Sequence, residues 1–191
     1  HAGSVRVADA LQAKAAGWGI EFHRVRLDPP SGKNREAEAR KARFAQFVAW
    51  GEAQGIATLC LAQQRNDQAE TVCMRLLQGA GPAGCAGMRA GRLWQGLNIV
   101  RPLLHIGRGE VEQVLLAAGV DWVEDASNRD PTWLRNRIRH QLFPAARSAG
   151  IDPVELFCRW QAQAVRLSAQ LQWLADEIGL EMRQGAAVVG W

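Results

Sequence analysis

Apolar residues recur along this chain with two different periods. Over residues 4–16, Val5, Val7, Ala8, Leu11 and Ala15 return at helical spacing, and Gly17 and Gly19 supply the stop. Residues 20–27 instead alternate by twos, with Ile20 and Phe22 on one face, which predicts a strand. After the turn residues DPPSGKN, a long helix is expected over 34–54, ended by Gly55. The run Ile56-Ala-Thr-Leu-Cys-Leu-Ala62 is apolar throughout, the pattern of a short strand buried on both faces. Polar residues 63–66 follow, and Asp67-x-x-Glu70 has the spacing of a capping box opening a helix that runs to 78. Beyond a glycine-rich stretch lie an apolar segment at 97–103, a helix over 107–118 closed by Gly119, and a polar loop. Asp130 with Pro131 at the first helical position predicts a helix through 143, stopped at Pro144. A last helix is expected over 153–180, apolar at Leu156, Val165, Leu167, Leu171 and Leu174. Strand–helix alternation up to about residue 125 predicts an α/β fold, a parallel sheet with flanking helices, followed by a helical extension.

Composition narrows the class. With 191 residues, 48% hydrophobic and 22% charged, the chain is of the globular kind rather than disordered or collagen-like. No apolar run approaches the roughly 18 residues of a membrane-crossing helix, so no membrane partner is expected. The N-terminus has no basic segment leading into an apolar one, and it starts at His1 rather than Met. The expectation is therefore a chain that begins inside a longer protein. Four cysteines stand at 60, 73, 85 and 158, with no close pair for a zinc or iron–sulfur site and no disulfide framework. They read as free thiols of a reducing, cytoplasmic protein. The net charge is +4, and 20 of the 23 basic residues are Arg, only Lys14, Lys33 and Lys41 being Lys. Arginine grips phosphate with a planar fork, which suits anionic partners. Mutational bias in a GC-rich genome gives the same excess.

Three segments carry chemistry. Gly79-Ala-Gly-Pro-Ala-Gly84 matches a dinucleotide fingerprint in letters only, because a helix precedes it and Pro82 removes an amide; it reads as a loop between elements. Gln63-Gln-Arg-Asn-Asp-Gln-Ala-Glu-Thr71 lies where a strand ends and a helix begins, a place that attracts anions, and Asp67 there could hold a cation bridging phosphates. The plainer reading is that Asp67 and Glu70 cap the helix. Arg135 and Arg139 stand four apart on one helical face with Asn136 beside them, suited to phosphate or an RNA backbone, or to a solvated basic face. Arg40 and Arg43 on the long helix carry the same two readings. Trp133 adjoins the basic cluster and is the tryptophan placed for base stacking.

Taken together, N34-R-E-A-E-A-R-K-A-R-F44, the block from Asn66 to Met88, Arg101-Pro-Leu-Leu104 and W122-V-E-D-A-S-N-R-D-P-T-W-L-R-N-R-I-R-H140 resemble bacterial tRNA(Ile)-lysidine synthetase, of the PP-loop (N-type) ATP pyrophosphatase superfamily. The last block is the most specific. The resemblance implies an adenine nucleotide alpha-hydrolase-like fold, with a truncated nucleotide-binding domain over 1–145 and a helical linker or the start of a second domain over 146–191. It implies a C–N ligase reaction in which ATP adenylates C2 of the wobble cytidine of tRNA(Ile) and the amine of free L-lysine displaces AMP. ATP and Mg²⁺ are the implied cofactors, tRNA(Ile) and L-lysine the implied partners, and a homodimer is allowed.

By the same resemblance, Gln63, Gln64 and Asp67 line the nucleotide pocket, with Asp67 the one metal-facing carboxylate. Glu124, Asp125, Asn128 and Asn136 form the lysine and cytidine end. Arg40, Arg43, Arg135 and Arg139 meet tRNA or phosphate, and Asp67, Arg135 and Arg139 are the catalytic set. Two departures stand out. The superfamily's S-G-G-x-D-S loop would lie ahead of His1, so the 191 residues alone are expected not to turn over ATP. Where the family has G-H-H-x-D-D, this chain has Ala62-Gln63-Gln64-Arg65-Asn66-Asp67, so no imidazole is available there. Two rivals remain, a non-catalytic RNA-binding relative and another PP-loop tRNA-modifying enzyme. Replacing Arg135 and Arg139 together by Ala is expected to weaken substrate handling with little change in melting temperature.

Overall fold

The computed structural model describes residues 2–27, 35–123, 128, 130–178, 180–183 and 186–189. In chain order its elements are α1 (Ala2–Gly17), α2 (Arg35–Gln54), β1 (Thr58–Cys60), α3 (Arg65–Leu77), α4 (Pro82–Cys85), β2 (Gly91–Trp94), β3 (Leu97–Val100) and α5 (Arg108–Ala117). There follow α6 (Leu134–Arg137), a π-helical turn (Ile138–Leu142), α7 (Phe143–Ser148), α8 (Pro153–Glu177), β4 (Leu180–Arg183) and β5 (Ala186–Val189). The chain divides into two units that interleave along the sequence. One comprises His1–Ala62, Arg89–Leu103 and Gly109–Asp130; the other comprises Gln63–Met88, Leu104–Arg108 and Pro131–Trp191.

The first unit is built on a three-stranded sheet in the order β1-β3-β2. β1 runs parallel to β3, and β2 pairs with β3 antiparallel. The β2–β3 hairpin closes through Gln95 and Gly96, both at positive φ (47° and 82°), the two-residue turn whose twist matches that of the strands. Leu97 and Ile99 of the central strand point to one face and are buried there, as alternation along a strand requires. Phe44 of α2 is buried too, with its ring edge-on to Phe47 and Trp94.

Two expectations change here. β1 is not buried on both faces: Thr58 and Cys60 are exposed and only Leu59 is half-buried. Its apolar run lies at an edge of the described sheet, paired to β3 alone. Residues 20–27 form no strand. Alternation supplies a face but no partner edge. The segment is held instead by Ile20 N–H donating to Ala15 O at 2.9 Å, by an Arg24–Asp9 ion pair at 2.7 Å, and by His23 against the Trp50 ring.

The second unit packs helices around Ala69, Cys73, Ile138 and Phe143, flanked by Met74, Leu134, Val154, Phe157 and Cys158. The Phe143 and Phe157 rings stack at 5.7 Å, tying α7 to α8. Asp152 caps α8, its side chain accepting from Val154 N–H at 2.9 Å, with Pro153 at the first helical position. Pro144 does not stop its helix, contrary to expectation, and α7 continues to Ser148. The π turn just before it widens the coil, so the missing N–H and the ring of Pro144 fall where the α-helical ladder is already interrupted. The helix expected from 130 begins only at Leu134. α8 ends at Glu177 rather than 180, and the chain turns into the antiparallel pair β4–β5.

Candidate functional site

The site forms at the start of α3. The helix begins at Arg65, three residues earlier than the Asp67-x-x-Glu70 spacing suggested, and the capping box is Gln64 with Asp67. Asp67 Oδ2 accepts the Gln64 N–H at 2.8 Å, satisfying a donor that the helix itself leaves open. Glu70 is thereby released from capping and, one turn on, turns inward, its side chain only 3% exposed.

A lone buried carboxylate would be costly, and the sequence supplies its partners 65 and 69 residues later. Arg135 Nε donates to Glu70 Oε2 at 2.7 Å, and Arg139 Nε donates to Glu70 Oε1 at 2.6 Å. Arg139 Nη2 adds a bond to Glu70 Oε2 at 2.9 Å, making that pair bidentate. Both guanidiniums also reach Asp67 Oδ1, Arg135 Nη2 at 3.0 Å and Arg139 Nη2 at 3.3 Å. Arg135 Nη2 further donates to the Asp67 carbonyl at 3.2 Å. Two carboxylates one turn apart on α3 thus meet two arginines four apart across α6 and the π turn. Burial alone would lower the Arg139 pKa, but hydrogen bonding to Glu70 and the charges of Glu70 and Asp67 outweigh it and raise it. Close by in the core, desolvation, helped by the charge of Glu70, pushes the Cys73 thiol up to about 11.

The four groups sum to zero charge, with donors to spare. Nε and Nη2 of each arginine are engaged, and among the described residues the Nη1 donors of both are left for an incoming anion or carbonyl. The set does not fit a divalent cation. Asp67 already accepts three hydrogen bonds through its side chain, two of them from cations, and no cluster of three metal-ligating side chains occurs among the described residues.

Further contacts fix this end of the unit. The Gln68 side chain pairs with Met88 as a backbone amide would, Nε2 donating to Met88 O at 2.9 Å and Oε1 accepting Met88 N–H at 2.8 Å. Gly87 permits that approach: its φ is +71°, and a Cβ there would lie 2.8 Å from Gln68 Oε1. Arg65 pairs with Glu155 of α8, and Asn66 Oδ1 accepts the Arg108 N–H at 2.9 Å. Asn66 serves there as an acceptor of a backbone amide, work an amide oxygen does as well as a carboxylate.

The residues singled out in the sequence are therefore distributed. Gln63, Gln64, Asp67, Arg135, Asn136 and Arg139 belong to the second unit, Gln63 and Gln64 half-buried and Asn136 buried. Arg40, Arg43 and Asn128 belong to the first, where Arg40 lies 4.9 Å above the Phe44 ring, and Arg43 and Asn128 are exposed. Glu124 and Asp125 lie outside the described residues. Trp133 immediately precedes α6, half-buried, with its carbonyl accepting the Arg137 N–H. Glu70 was not singled out beyond capping, yet it accepts three hydrogen bonds from the two arginines. The signal was available: an i,i+3 acidic pair and an i,i+4 basic pair are complementary helix faces. Because Glu70 is the arginines' partner, replacing Arg135 and Arg139 together would also remove its compensation, so the expectation of an unchanged melting temperature does not survive.

The PP-loop domain family matches residues 4–146, and the chain belongs to that family. Among curated relatives, tRNA(Ile)-lysidine synthase of Pseudomonas fluorescens (strain Pf0-1) is 37% identical over 92% of this chain and 41% of its own length. The enzyme of that name from Geobacter sulfurreducens is 46% identical over 78% of the chain and 29% of its own length. That from Polaromonas naphthalenivorans (strain CJ2) is 35% identical over 97% and 54%. The chain thus spans about half, or less, of the relatives it matches. Among solved structures, the U34-tRNA thiolase NcsA from Methanococcus maripaludis, determined with its 4Fe-4S cluster, superimposes with a TM-score of 0.64 at 14% identity, over 84% of this chain and 56% of that one. That likeness establishes the shared fold.

Proposed function

We propose that this chain is the central part of a tRNA(Ile)-lysidine synthase, which uses ATP to join the amine of L-lysine to C2 of the wobble cytidine of tRNA(Ile). The observation that carries the reading is the Asp67–Glu70–Arg135–Arg139 cluster, which unites the block around Asp67 with the most specific of the resembling blocks. An adenylated C2 oxygen departs as the phosphate oxygen of AMP, and fixed guanidinium donors stabilise the negative charge that gathers on the leaving group. Glu70 holds both arginines by their Nε atoms, so their outer Nη1 donors are oriented before substrate arrives and need not reorganise during the reaction. Asp67 orders the same two arginines and the α3 N-terminus. Residues 1–145 would form the nucleotide-handling domain and 146–191 the lead into a further one. Mg²⁺ would come with the triphosphate rather than be held by Asp67.

The test is lysine- and tRNA-dependent release of AMP by the full-length protein, with mass spectrometry of the anticodon nucleosides. Lysidine at the wobble position is the expected product. RNA binding without AMP release would favour a non-catalytic relative, and a thiolated nucleoside would assign the chain to another branch of the family.

A further inference from the structure

Helix α8 of the second unit turns one face to the core and a second apolar face to solvent. Its contacts fix the core face: Phe157 stacks on Phe143, Gln161 Nε2 donates to Ala86 O at 2.9 Å, and Ala164 and Ala175 are buried. About a quarter turn round the helix run Leu156, Trp160, Leu167, Leu171 and Leu174, with Ile178 just past its last residue. These six side chains are 43–64% exposed. At 1.5 Å per residue they draw a line about 33 Å long. Val165 and Trp173, exposed as well, lie off it. Single surface hydrophobes are ordinary, but an unbroken line of them marks an interaction surface.

The spacing along that line says what fits it. Counting Gln163, its positions step by 4, 3, 4, 4, 3 and 4 residues, an 11-residue repeat that keeps them on one face of a nearly straight helix. The steps read the same in both directions from Leu167. A second α8 laid antiparallel therefore matches the first, with Leu167 facing its own copy, Trp160 facing Leu174 and Leu156 facing Ile178. Gln163, exposed at the edge of the line, falls opposite Leu171. Charge separates this alignment from a parallel one. Arg159 and Glu177 lie on the same edge of the line, 18 residues apart. Antiparallel helices bring like edges together, which sets Arg159 within a helical turn of Glu177 of the second copy, twice by symmetry. A parallel pair would turn that edge toward the other copy's core face and match neither charge. Arg159 already meets Glu155 at 3.7 Å, but that pair is exposed and easily exchanged. Arg166, further round the same edge, approaches its own copy near the axis. This is the one unfavourable match, and its long stem lets the charge swing into solvent.

We propose that two copies of this protein associate through α8, antiparallel about a two-fold axis at Leu167, with Arg159 of each paired to Glu177 of the other. The inference does not depend on the reaction the chain serves.

The experiment is sedimentation velocity of the full-length protein from about 1 to about 100 μM, which should show a concentration-dependent dimer. Leu167→Arg changes a side chain exposed in the single copy, so the fold stays intact. It sets two cations on the axis and should weaken the dimer at least about a hundredfold. Arg159→Glu and Glu177→Arg should each weaken it about fivefold to tenfold, and together they should restore it to within about threefold of wild type. A merely destabilised helix would give no such rescue. A monomer at every concentration would overturn the proposal, and protection of a Leu167→Cys variant from maleimide in that monomer would assign the stripe to further chain of the same protein. A dimer indifferent to Leu167→Arg would overturn it too, by placing the contact elsewhere. Weakening by both charge reversals without rescue in the double variant would overturn the antiparallel register.

Discussion

Arginine serves opposite ends in the two units. At α3 it meets carboxylates: Arg135 and Arg139 saturate Glu70 and share Asp67, and Arg65 pairs with Glu155. Around Phe44 it meets aromatic rings and other arginines, and a buried Nε goes unanswered. The first arrangement is neutral and held by hydrogen bonds from several directions; in the second, Arg92 lies over the rings of both Phe44 and Trp94. A neutral, oriented cluster suits chemistry in which charge appears only transiently.

The largest effect that would break this contrast is expected from Glu70→Ala. Removing the shared carboxylate leaves two guanidiniums facing each other at a buried position. The loss should be about 3 kcal/mol in chemical denaturation, at the lower end for broken buried pairs because both arginines are partly exposed. A change below about 1 kcal/mol would mean that the cluster is a surface arrangement like any other. Next comes alkaline pH. The Cys73 thiol titrates near 11 in the folded protein and lower when unfolded, so the native state holds its proton more tightly. Its contribution is intact below about pH 9 and should disappear between about pH 9 and 11, costing roughly 2–3 kcal/mol. A Cys73→Ala variant should show a flatter stability profile over that range.

Gly87→Ala should cost about 1–3 kcal/mol, since the new Cβ meets the Gln68 amide at a backbone conformation that disfavours side chains. Combining it with Gln68→Ala should give less than the sum of the two single losses, which a double-mutant cycle would read. The smallest effect sharpens the comparison most. Arg92→Gln should alter thermal stability by less than about 1 kcal/mol, because lost ring stacking is offset by relief of repulsion and of an unmet donor. A loss as large as that of Glu70→Ala would place both arginine clusters in the same structural role.

How much of this was legible beforehand can be judged element by element. The helices α1 and α8 were visible through their helical apolar repeats, and α2, α3 and α5 through end signals, Gly55, the Asp67-x-x-Glu70 spacing and Gly119, all of which are local and survive folding. Residues 20–27 misled for the complementary reason: a strand is completed by a partner edge, and alternation does not say whether one exists. Pro144 misled because the rule that proline stops a helix assumes regular α geometry, and the π turn before it removes that assumption. At the site, Asp67, Arg135 and Arg139 could be named from type and spacing, but Glu70 looked like a cap until the helix proved to start at Arg65.

The sequence by itself determined what is local and repeated: which segments coil, that an acidic pair and a basic pair each share a helix face, and that arginine outnumbers lysine. Only the tertiary structure decided which charges meet. Asp67 and Glu70 lie 65 or more residues from Arg135 and Arg139, and Arg40, Arg92 and Arg101 come from three separate stretches of chain. Local pattern sets the face a side chain is on. Burial then decides whether its charge must be matched there, through packing between elements that no single window of sequence contains.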